Sequence, residues 1–396
     1  MISFIFSYRV SMFAKLIIFG VLFLDVIGIS IIIPAFPELK AYYQISDFQV
    51  TLGLTLYSAC AFFATPRLGQ ISDKYGRKKP LLRCVIGTCL SYLLLLVTPS
   101  YWIFLLSRMI NGITGGNISV IQAILTDISP DQATKTKHYG WMWALFGVGF
   151  IIWPLIWSLI LQFGHVEYIF RFGALFACIE VVLLMVHFHD THIPIVDKKI
   201  RIDTIALMWS YLRQDRFKYL LWSMILLGTG WFLINSTQSL YMHTWFGFSG
   251  AQYGYFLAFA GLIAAFNMGF LIPKFWTQIF TSKTLIRISH IVLIVWYSII
   301  GMTSSTIWFI VVFYLTVLLS GAYATVYNVA IMWQAQDDAV GTLAGVLWWL
   351  QSLVMVLGPL CGGLLMAGGY NIFAGAVVCF VISLIIMLRY LLTKSS

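Results

Sequence analysis

Two apolar segments of this chain are joined by the sequence Gly69-Gln70-Ile71-Ser72-Asp73-Lys74-Tyr75-Gly76-Arg77-Lys78-Lys79. Glycine has no Cβ atom, so Gly69 permits a close approach of two helices and Gly76 permits a tight turn. Asp73 lies among basic residues, where its carboxylate can form an ion pair or accept hydrogen bonds from a helix N-terminus. The stretch therefore predicts a charged turn that closes a helical hairpin, and a turn that only sets the topology is the simpler alternative.

The composition places the segments on both sides of this turn in a membrane. The 396 residues are 61% hydrophobic and only 10% charged, whereas an ordinary soluble domain is roughly 25% charged. A chain with so few charges could not cover its surface in water, which argues against a soluble enzyme. A content of 31 Phe, 20 Tyr and 15 Trp argues against a disordered chain as well. We expect a polytopic membrane protein.

Twelve apolar stretches are long enough to cross the ~30 Å hydrocarbon core of a bilayer, which takes about 20 helical residues. They lie near residues 13–37, 48–72, 80–98, 102–126, 137–162, 168–188, 217–241, 250–275, 283–303, 307–332, 340–366 and 370–392. With successive loops on alternate sides, 21 of the 24 Lys and Arg residues fall on one side, and only Lys40, Arg108 and Arg171 fall on the other. The positive-inside rule then places both termini in the cytoplasm. The net charge of +10 thus reflects topology and not nucleic-acid binding.

The longest polar stretch, residues 189–216, divides the chain into two halves of six spans each. The predicted domains are an N-terminal bundle at residues 1–188, a cytoplasmic linker at 189–216 and a C-terminal bundle at 217–396. Residues 203–213 in the linker predict a short amphipathic helix on the membrane face. The predicted fold class is all-α integral membrane, with twelve transmembrane helices in two six-helix bundles. This layout resembles the major facilitator fold, in which substrate sites lie near the membrane midplane.

The turn sequence resembles the loop signature of the major facilitator superfamily, G-x-x-x-D-[RK]-x-G-[RK]-[RK], at every glycine and charged position. Further stretches resemble the drug/proton antiporter branch of that family, in particular the tetracycline-resistance efflux proteins. They are Leu24-Asp25-Val26-Ile27-Gly28 in span one, Arg108-Met109-Ile110-Asn111-Gly112-Ile113-Thr114-Gly115-Gly116 and Leu125-Thr126-Asp127 in span four, and Gly341-Thr342-Leu343-Ala344-Gly345 with Gly358-Pro359 in span eleven. The resemblance is strong through residues 17–164 and patchy in residues 320–363.

The resemblance implies a conformational latch on the cytoplasmic side. Its residues are Gly69, Asp73, Gly76, Arg77 and Asp127. In the family pattern Arg77 pairs with Asp127, while Asp73 faces the start of span eleven near Gly341. Such contacts would hold the two halves in the outward-facing state. The alternative is that Asp127 is a surface acid whose ion pair contributes little.

Two departures from the antiporter pattern concern the substrate. Trp153 and Trp157 stand where drug antiporters carry glycines of a Gly-Pro-x-x-Gly-Gly run in span five. Ser91 and Ile294 stand where tetracycline pumps carry acids in spans three and nine. Tetracycline itself is therefore not the expected substrate, and import instead of export stays open as an alternative.

Three ionisable residues lie inside predicted spans: Asp25 in span one, Arg108 in span four and Glu180 in span six. An intramembrane charge costs ~2.5–3.5 kcal/mol on insertion scales, so each is a functional candidate. Asp25 opposite Arg108 predicts a proton-coupling pair, because Arg favours the carboxylate whereas burial favours the neutral acid. A static ion pair that stabilises packing is the alternative. For Glu180 a role in proton binding and a role in packing stay equally open.

Polar and aromatic side chains at helical spacing predict the substrate site. Span four carries a polar stripe, and spans seven, ten and eleven carry aromatic and amide groups that would suit a bulky organic solute. The candidates are Asn111, Ser119 and Gln122 in span four, Trp231, Asn235 and Gln238 in span seven, Tyr323 and Tyr327 in span ten, and Trp348 and Gln351 in span eleven. Helix packing and interfacial aromatic belts are the alternative explanation.

These observations predict a proton-coupled secondary transporter that exports a small, bulky organic solute by alternating access. We expect a monomer in the inner cell membrane, whose partners are the solute, protons and the lipid bilayer. We expect no enzyme activity and no cofactor. We also expect no metal site, because the spacing in His187-Phe188-His189-Asp190-Thr191-His192 does not imply ligand geometry. The alternatives are an importer of an organic solute, such as a siderophore or a metabolite, and a non-transporting membrane receptor or scaffold.

Overall fold

The computed structural model describes residues 15–26, 32–115, 117–163, 166–190, 204–318 and 340–393, and these residues are largely helical. Residues 15–26 form α1. The next helices are α2 (Phe36–Tyr43), α3 (Asp47–Tyr75), α4 (Lys78–Val97), α5 (Tyr101–Thr114), α6 (Asn117–Asp127), α7 (Gln132–Phe163) and α8 (Glu167–His187). They are followed by α9 (Thr204–Arg213), α10 (Lys218–Phe246), α11 (Gly250–Phe266), α12 (Ser282–Met302), α13 (Thr306–Leu318), α14 (Val340–Ala367) and α15 (Ile372–Thr393).

Eight helices of the described part of the chain are long and apolar enough to cross a membrane. They match the predicted spans two, five to nine, eleven and twelve. Helix α4 coincides with predicted span three, while α1 and α13 cover parts of predicted spans one and ten. Helix α11 continues beyond Phe266 as a π-helical segment, Asn267–Trp276, and a short helix, Thr277–Ile279. The amphipathic helix predicted at residues 203–213 is present as α9.

Predicted span four is not one continuous helix. Helix α5 ends at Thr114, the Gly115 amide donates to the Gly112 carbonyl, and α6 begins at Asn117. A hydrogen bond to the carbonyl three residues earlier, instead of four, is typical of the tighter last turn at the end of a helix. The polar stripe predicted along this span is therefore divided between two helices.

The chain forms two compact units. The first contains the described residues of 1–45, 56–202 and 249–258, and the second those of 46–55, 203–248 and 259–396. In the first unit, apolar residues one helical turn apart on α1 and α6 pack with residues of α4, α7 and α8. This core comprises Ile17, Ile18, Val21, Leu22, Leu81, Val85, Val120, Ile121, Ile124, Leu125, Met142, Leu184 and Phe188.

The second unit combines an aromatic core with a buried polar cluster. The ring of Phe373 on α15 lies 4.9 Å from that of Tyr241 and 6.0 Å from that of Tyr297. In the polar cluster, Nδ1 of His290 donates to the Ile286 carbonyl oxygen at 2.8 Å, and Nε2 lies 3.0 Å from the Ser383 hydroxyl. A neutral imidazole carries one N–H hydrogen. Because Nδ1 of His290 carries it, Nε2 accepts a hydrogen bond from the Ser383 hydroxyl. His290 was not among the residues predicted from the sequence, because this half was expected to contain no intramembrane acid and its polar residues were assigned from aromatic and amide side chains.

Gly112 gives a test of helix packing in the first unit. A Cβ atom at this position of α5 would lie 2.7 Å from Cys60 Cβ and 3.0 Å from the Tyr57 carbonyl carbon of α3. We expect Gly112→Ala to lower the midpoint of thermal unfolding of the purified protein. Gly147→Ala is the matched control, since nothing lies within 4 Å of its added Cβ and it gains the same helix propensity, about 0.5–1 kcal/mol. Equal midpoints for the two variants would contradict this packing.

Candidate functional site

The turn between α3 and α4 is built around Gly76. Its φ angle of +88° is a conformation that other residues rarely adopt, and a Cβ atom there would collide with the Asp190 carboxylate. The tight turn predicted at Gly76 is thus confirmed. At Gly69, by contrast, an added Cβ would lie 3.7 Å from the Ser119 hydroxyl, an ordinary van der Waals distance. The close helix approach expected at Gly69 therefore does not require glycine.

Arg77 is the centre of the polar cluster at this turn. Its side chain is only 5% exposed, and its Nε and Nη2 atoms donate to the two carboxylate oxygens of Asp127 at 2.7 and 3.3 Å. Its Nη1 atom donates to the Ser72 hydroxyl at 2.9 Å and also to Asp73. A planar guanidinium suits such two-pronged pairing with a carboxylate. The predicted pairing of Arg77 with Asp127 is present.

The surroundings of Arg77 keep it charged. Burial lowers the pKa of Arg77, but the hydrogen bonds and ion pairs to Asp127 and Asp73 outweigh burial, so that the pKa is raised overall. The buried cation is therefore matched by two carboxylates, which is the condition for burying a charge at tolerable cost. The role of this cluster as a latch, and the approach of Asp73 to Gly341, stay predictions.

Asp190 is a member of this cluster that sequence reasoning did not assign. It follows α8, and its two carboxylate oxygens accept from the backbone N–H groups of Arg77 at 2.9 Å and Lys78 at 3.2 Å. Helix α4 has no side-chain cap from its own N-cap residue, Arg77, so Asp190 satisfies amides that a local Ser or Asp usually satisfies. The lack of a capping residue at the start of α4 was the one signal in the sequence that pointed to a distant acid.

No group of three metal-ligating side chains occurs in the described ranges, and His192 lies outside them.

Asp25 on α1 pairs with a residue other than the predicted one. The side-chain amide of Asn117, the first residue of α6, donates to the Asp25 carboxylate. Among the residues that the structure describes, Arg108 forms no ion pair with Asp25, so the predicted Asp25–Arg108 pair is wrong. Asn117 lies nine positions beyond Arg108, or about 13 Å along a helix. The start of α6, and not the middle of α5, reaches Asp25.

Arg108 is buried among aromatic rings. It is 3% exposed, and its guanidinium carbon lies 5.7 Å from the Tyr92 ring centroid and 5.8 Å from that of Phe104. Its Nη2 donates to the Ser107 hydroxyl at 3.2 Å, and its Nε has no hydrogen-bond partner. Aromatic faces attract a guanidinium within about 6 Å. These two rings surround the Arg108 guanidinium, where the Asp25 carboxylate was predicted.

Glu180 shares a small cavity with Asp25. Glu180 lies on α8 and is 2% exposed. The cavity lies between α1, α4 and α8 and has room for about one water molecule. It is lined by Leu24, Asp25, Thr88, Tyr92, Gly173, Phe176, Ala177 and Glu180. The structure thus brings together the two intramembrane acids that the sequence left unconnected.

The predicted substrate-binding residues are only partly described. In the first unit, Asn111 is buried on α5, the Ser119 hydroxyl donates to the Thr65 carbonyl oxygen at 3.4 Å, and Gln122 lies on α6. In the second unit, the Asn235 amide donates to the Trp231 carbonyl oxygen at 2.9 Å, Gln238 is buried on the same helix, and Gln351 lies on α14. Tyr323, Tyr327 and the side chain of Trp348 lie outside the described residues. The role of all these residues in binding stays a prediction.

Comparison with known proteins identifies similar sequences. The family model of the Major Facilitator Superfamily matches residues 18–359. The class H tetracycline resistance protein of Pasteurella multocida is 33% identical over 180 residues, 44% of each chain. The quinolone resistance protein NorA of Staphylococcus aureus is 25% identical over 170 residues, 43% of each chain. The matched part of the chain thus spans less than half the length of these curated relatives.

Comparison with solved structures shows the fold. The nucleoside transporter NupG has a TM-score of 0.75 at 15% identity, covering 98% of this chain and 99% of its own. The human organic anion transporter MFSD10 has a TM-score of 0.66 at 21% identity, covering 95% and 99% of the two chains. At these identities the likeness concerns the fold alone, and it confirms the predicted fold class.

The ion pair of Arg77 with Asp127 gives a second prediction. Arg77→Ala and Asp127→Ala should each lower the midpoint of thermal unfolding, and the double variant should be little worse than Arg77→Ala, because residues in one network are not additive. Arg83→Ala removes an exposed cation from the same helix and should leave the midpoint nearly unchanged. Additive losses in the double variant would show that the two residues act independently.

Proposed function

We propose that this chain, which belongs to the Major Facilitator Superfamily, exports a small, bulky organic solute in exchange for protons. It is a multi-pass membrane protein whose family and fold are those of transporters and not of enzymes. In this architecture two helical bundles expose a central site alternately to either side of the membrane. Substrate and direction are part of the proposal.

The observation that carries the proposal is the carboxyl group of Asp25 within a helix of the first unit. An acid at membrane depth is costly and usually marks a proton or substrate pathway. Asp25 is partly buried, accepts one hydrogen bond from Asn117 and lines a cavity. A single amide donor stabilises the carboxylate without adding a positive charge, so both protonation states of Asp25 are accessible during a transport cycle.

Arg108 was expected to act with Asp25, and we assign it a different part. Its buried guanidinium is held by aromatic rings, and its Nε has no partner. It can act on the proton site through Tyr92, whose ring it covers and which also lines the Asp25 cavity. We therefore keep Arg108 as a proton-coupling residue that acts through its neighbours and not by pairing with Asp25.

Export is supported by the relatives. The curated proteins that match are named for resistance to tetracycline and to quinolones, and resistance fits outward transport of drug-like molecules better than import or a receptor function. Ser91 and Ile294 stand in place of acids that tetracycline pumps carry, so we propose a drug-like solute other than tetracycline. We also propose a monomer in the inner membrane. The excess of Lys and Arg on one side of the predicted spans supports both termini in the cytoplasm.

Two groups of residues serve the transport cycle in this proposal. The cluster of Gly69, Asp73, Gly76, Arg77 and Asp127 holds the end of α3 against α4 and α6 and acts as the latch. The solute is bound by the polar residues of α5 and α6 and by the aromatic and amide residues of the C-terminal half. These are Asn111, Ser119, Gln122, Trp231, Asn235, Gln238, Tyr323, Tyr327, Trp348 and Gln351.

Transport by the Asp25→Asn variant tests the coupling. The protein is reconstituted in vesicles with an imposed pH gradient, and a panel of antibiotics that includes tetracyclines and quinolones identifies a transported solute. We expect Asp25→Asn to lose transport driven by the pH gradient and to keep solute exchange, since only the proton step is removed. Asp215→Asn is the control, because this side chain is 91% exposed. Full gradient-driven transport by Asp25→Asn would refute the coupling role.

Solute binding by α10 variants tests the location of the substrate. Replacing Trp231 or Asn235 by Ala should weaken binding, since aromatic stacking contributes ~0.5–1.5 kcal/mol beyond burial. The pH dependence of transport should stay nearly unchanged, because Asp25 lies in the other half of the chain. Trp222→Ala on the same helix, where the indole is exposed, is the control. Normal binding by both variants together with loss of binding in Asp25→Asn would place the solute in the N-terminal half instead.

A further inference from the structure

Two carboxyl groups from different helices meet at one small cavity in the first unit. Asp25 comes from α1 and Glu180 from α8, and the cavity between them also touches Thr88 and Tyr92 of α4. The two acids are close enough to interact electrostatically. With room for about one water molecule, the cavity is far smaller than the 300–1,000 Å³ typical of sites for organic ligands. Its occupant is therefore a proton or a water molecule and not the transported solute.

Glu180 is the buried group that lacks a partner. It is 2% exposed, and its carboxyl group forms no hydrogen bond or ion pair within the ranges that the structure describes. The Tyr92 side chain lines the same cavity but also faces the Arg108 guanidinium. Burial without a hydrogen-bond donor favours the neutral, protonated form of a carboxyl group. Glu180 therefore points to a proton that is held in the cavity.

Within the ranges that the structure describes, no Lys, Arg or His forms an ion pair with Asp25 or Glu180. The titratable neighbours of Asp25 are Tyr57 of α3 and Cys84 and Tyr92 of α4, and those of Glu180 are Cys89 and Tyr92. Phenols and thiols are ordinarily neutral at pH 7. Asn117 of α6, which contacts Asp25, is neutral at every pH. The guanidinium of Arg108 on α5 lies over the ring of Tyr92. Two carboxylates would therefore face each other without a counter-charge.

We propose that Asp25 and Glu180 form one coupled acid that holds a single proton between them at neutral pH. Two like charges in one water-poor cavity repel, so one of the two groups stays protonated. Asn117 stabilises the carboxylate form of Asp25, while no donor does so for Glu180, and the shared proton therefore resides mainly on Glu180. Glu180 is then a second proton-coupling residue. Its role in transport rests on the proposed function, but the shared proton itself does not.

Infrared spectroscopy of the purified protein tests the shared proton without any transported solute. The carbonyl stretch of protonated carboxyl groups is followed during a pH titration of the unmodified protein, Asp25→Asn and Glu180→Gln. We expect Asp25→Asn to lower the pH at which Glu180 ionises by about one unit or more, as for strongly interacting sites, because the Asp25 carboxylate that opposes this ionisation is removed. Glu180→Gln should leave the pH at which Asp25 ionises nearly unchanged, because Asp25 loses its proton while Glu180 is still protonated and neutral. Ionisation of Glu180 at an unchanged pH in Asp25→Asn would overturn the proposal.

Two further variants serve as controls. Glu180→Asp keeps the acid and should retain the coupling, which separates loss of the carboxyl group from a disturbed fold. Asp215→Asn removes an exposed acid and should shift neither titration. If the acids are coupled but no solute moves with the pH gradient, the proposed function fails and the shared proton stands. If the acids titrate independently while gradient-driven transport persists, only the shared proton is refuted.

Discussion

A charge buried in a protein or a membrane needs a partner, and this chain meets that requirement in two different ways. At the turn between α3 and α4, the buried guanidinium of Arg77 is matched by Asp73, Asp127 and a serine hydroxyl. Inside the bundle, Asp25 has one neutral donor and Glu180 has no partner in the described chain. The first arrangement stabilises one geometry, while the second can change its protonation state. The rigid part and the switchable part of the first unit are thus separate.

The acid in α1 is contacted by an amide and not by a cation. Asn117, the first residue of α6, donates to the Asp25 carboxylate. Arg108 remains on α5, where the rings of Tyr92 and Phe104 surround it. An arginine in contact with Asp25 would have favoured the ionised acid throughout a transport cycle. An asparagine allows the proton to bind and leave.

The parts of the site that depend on local spacing or on family resemblance could be predicted from the sequence. Composition and periodicity gave the membrane helices and the bundle architecture, the glycine of the turn followed from its position, and resemblance gave the pairing of Arg77 with Asp127. The contacts of Asp190 with the turn span 113 and 112 positions, and that of Asn117 with Asp25 spans 92. No spacing rule connects residues so far apart. The polar stripe of span four was predicted on one helix, whereas the structure divides it between α5 and α6.

Transport of the solute is coupled to the proton held by Asp25 and Glu180, and a measurement of proton release on solute binding tests this coupling. Purified protein is placed in weakly buffered solution near neutral pH, and the transported solute is added while a pH indicator is monitored. We predict that the unmodified protein releases protons on solute binding and that the double variant Asp25→Asn/Glu180→Gln releases none. Equal release from both proteins, or no release from the unmodified protein at saturating solute, would contradict it.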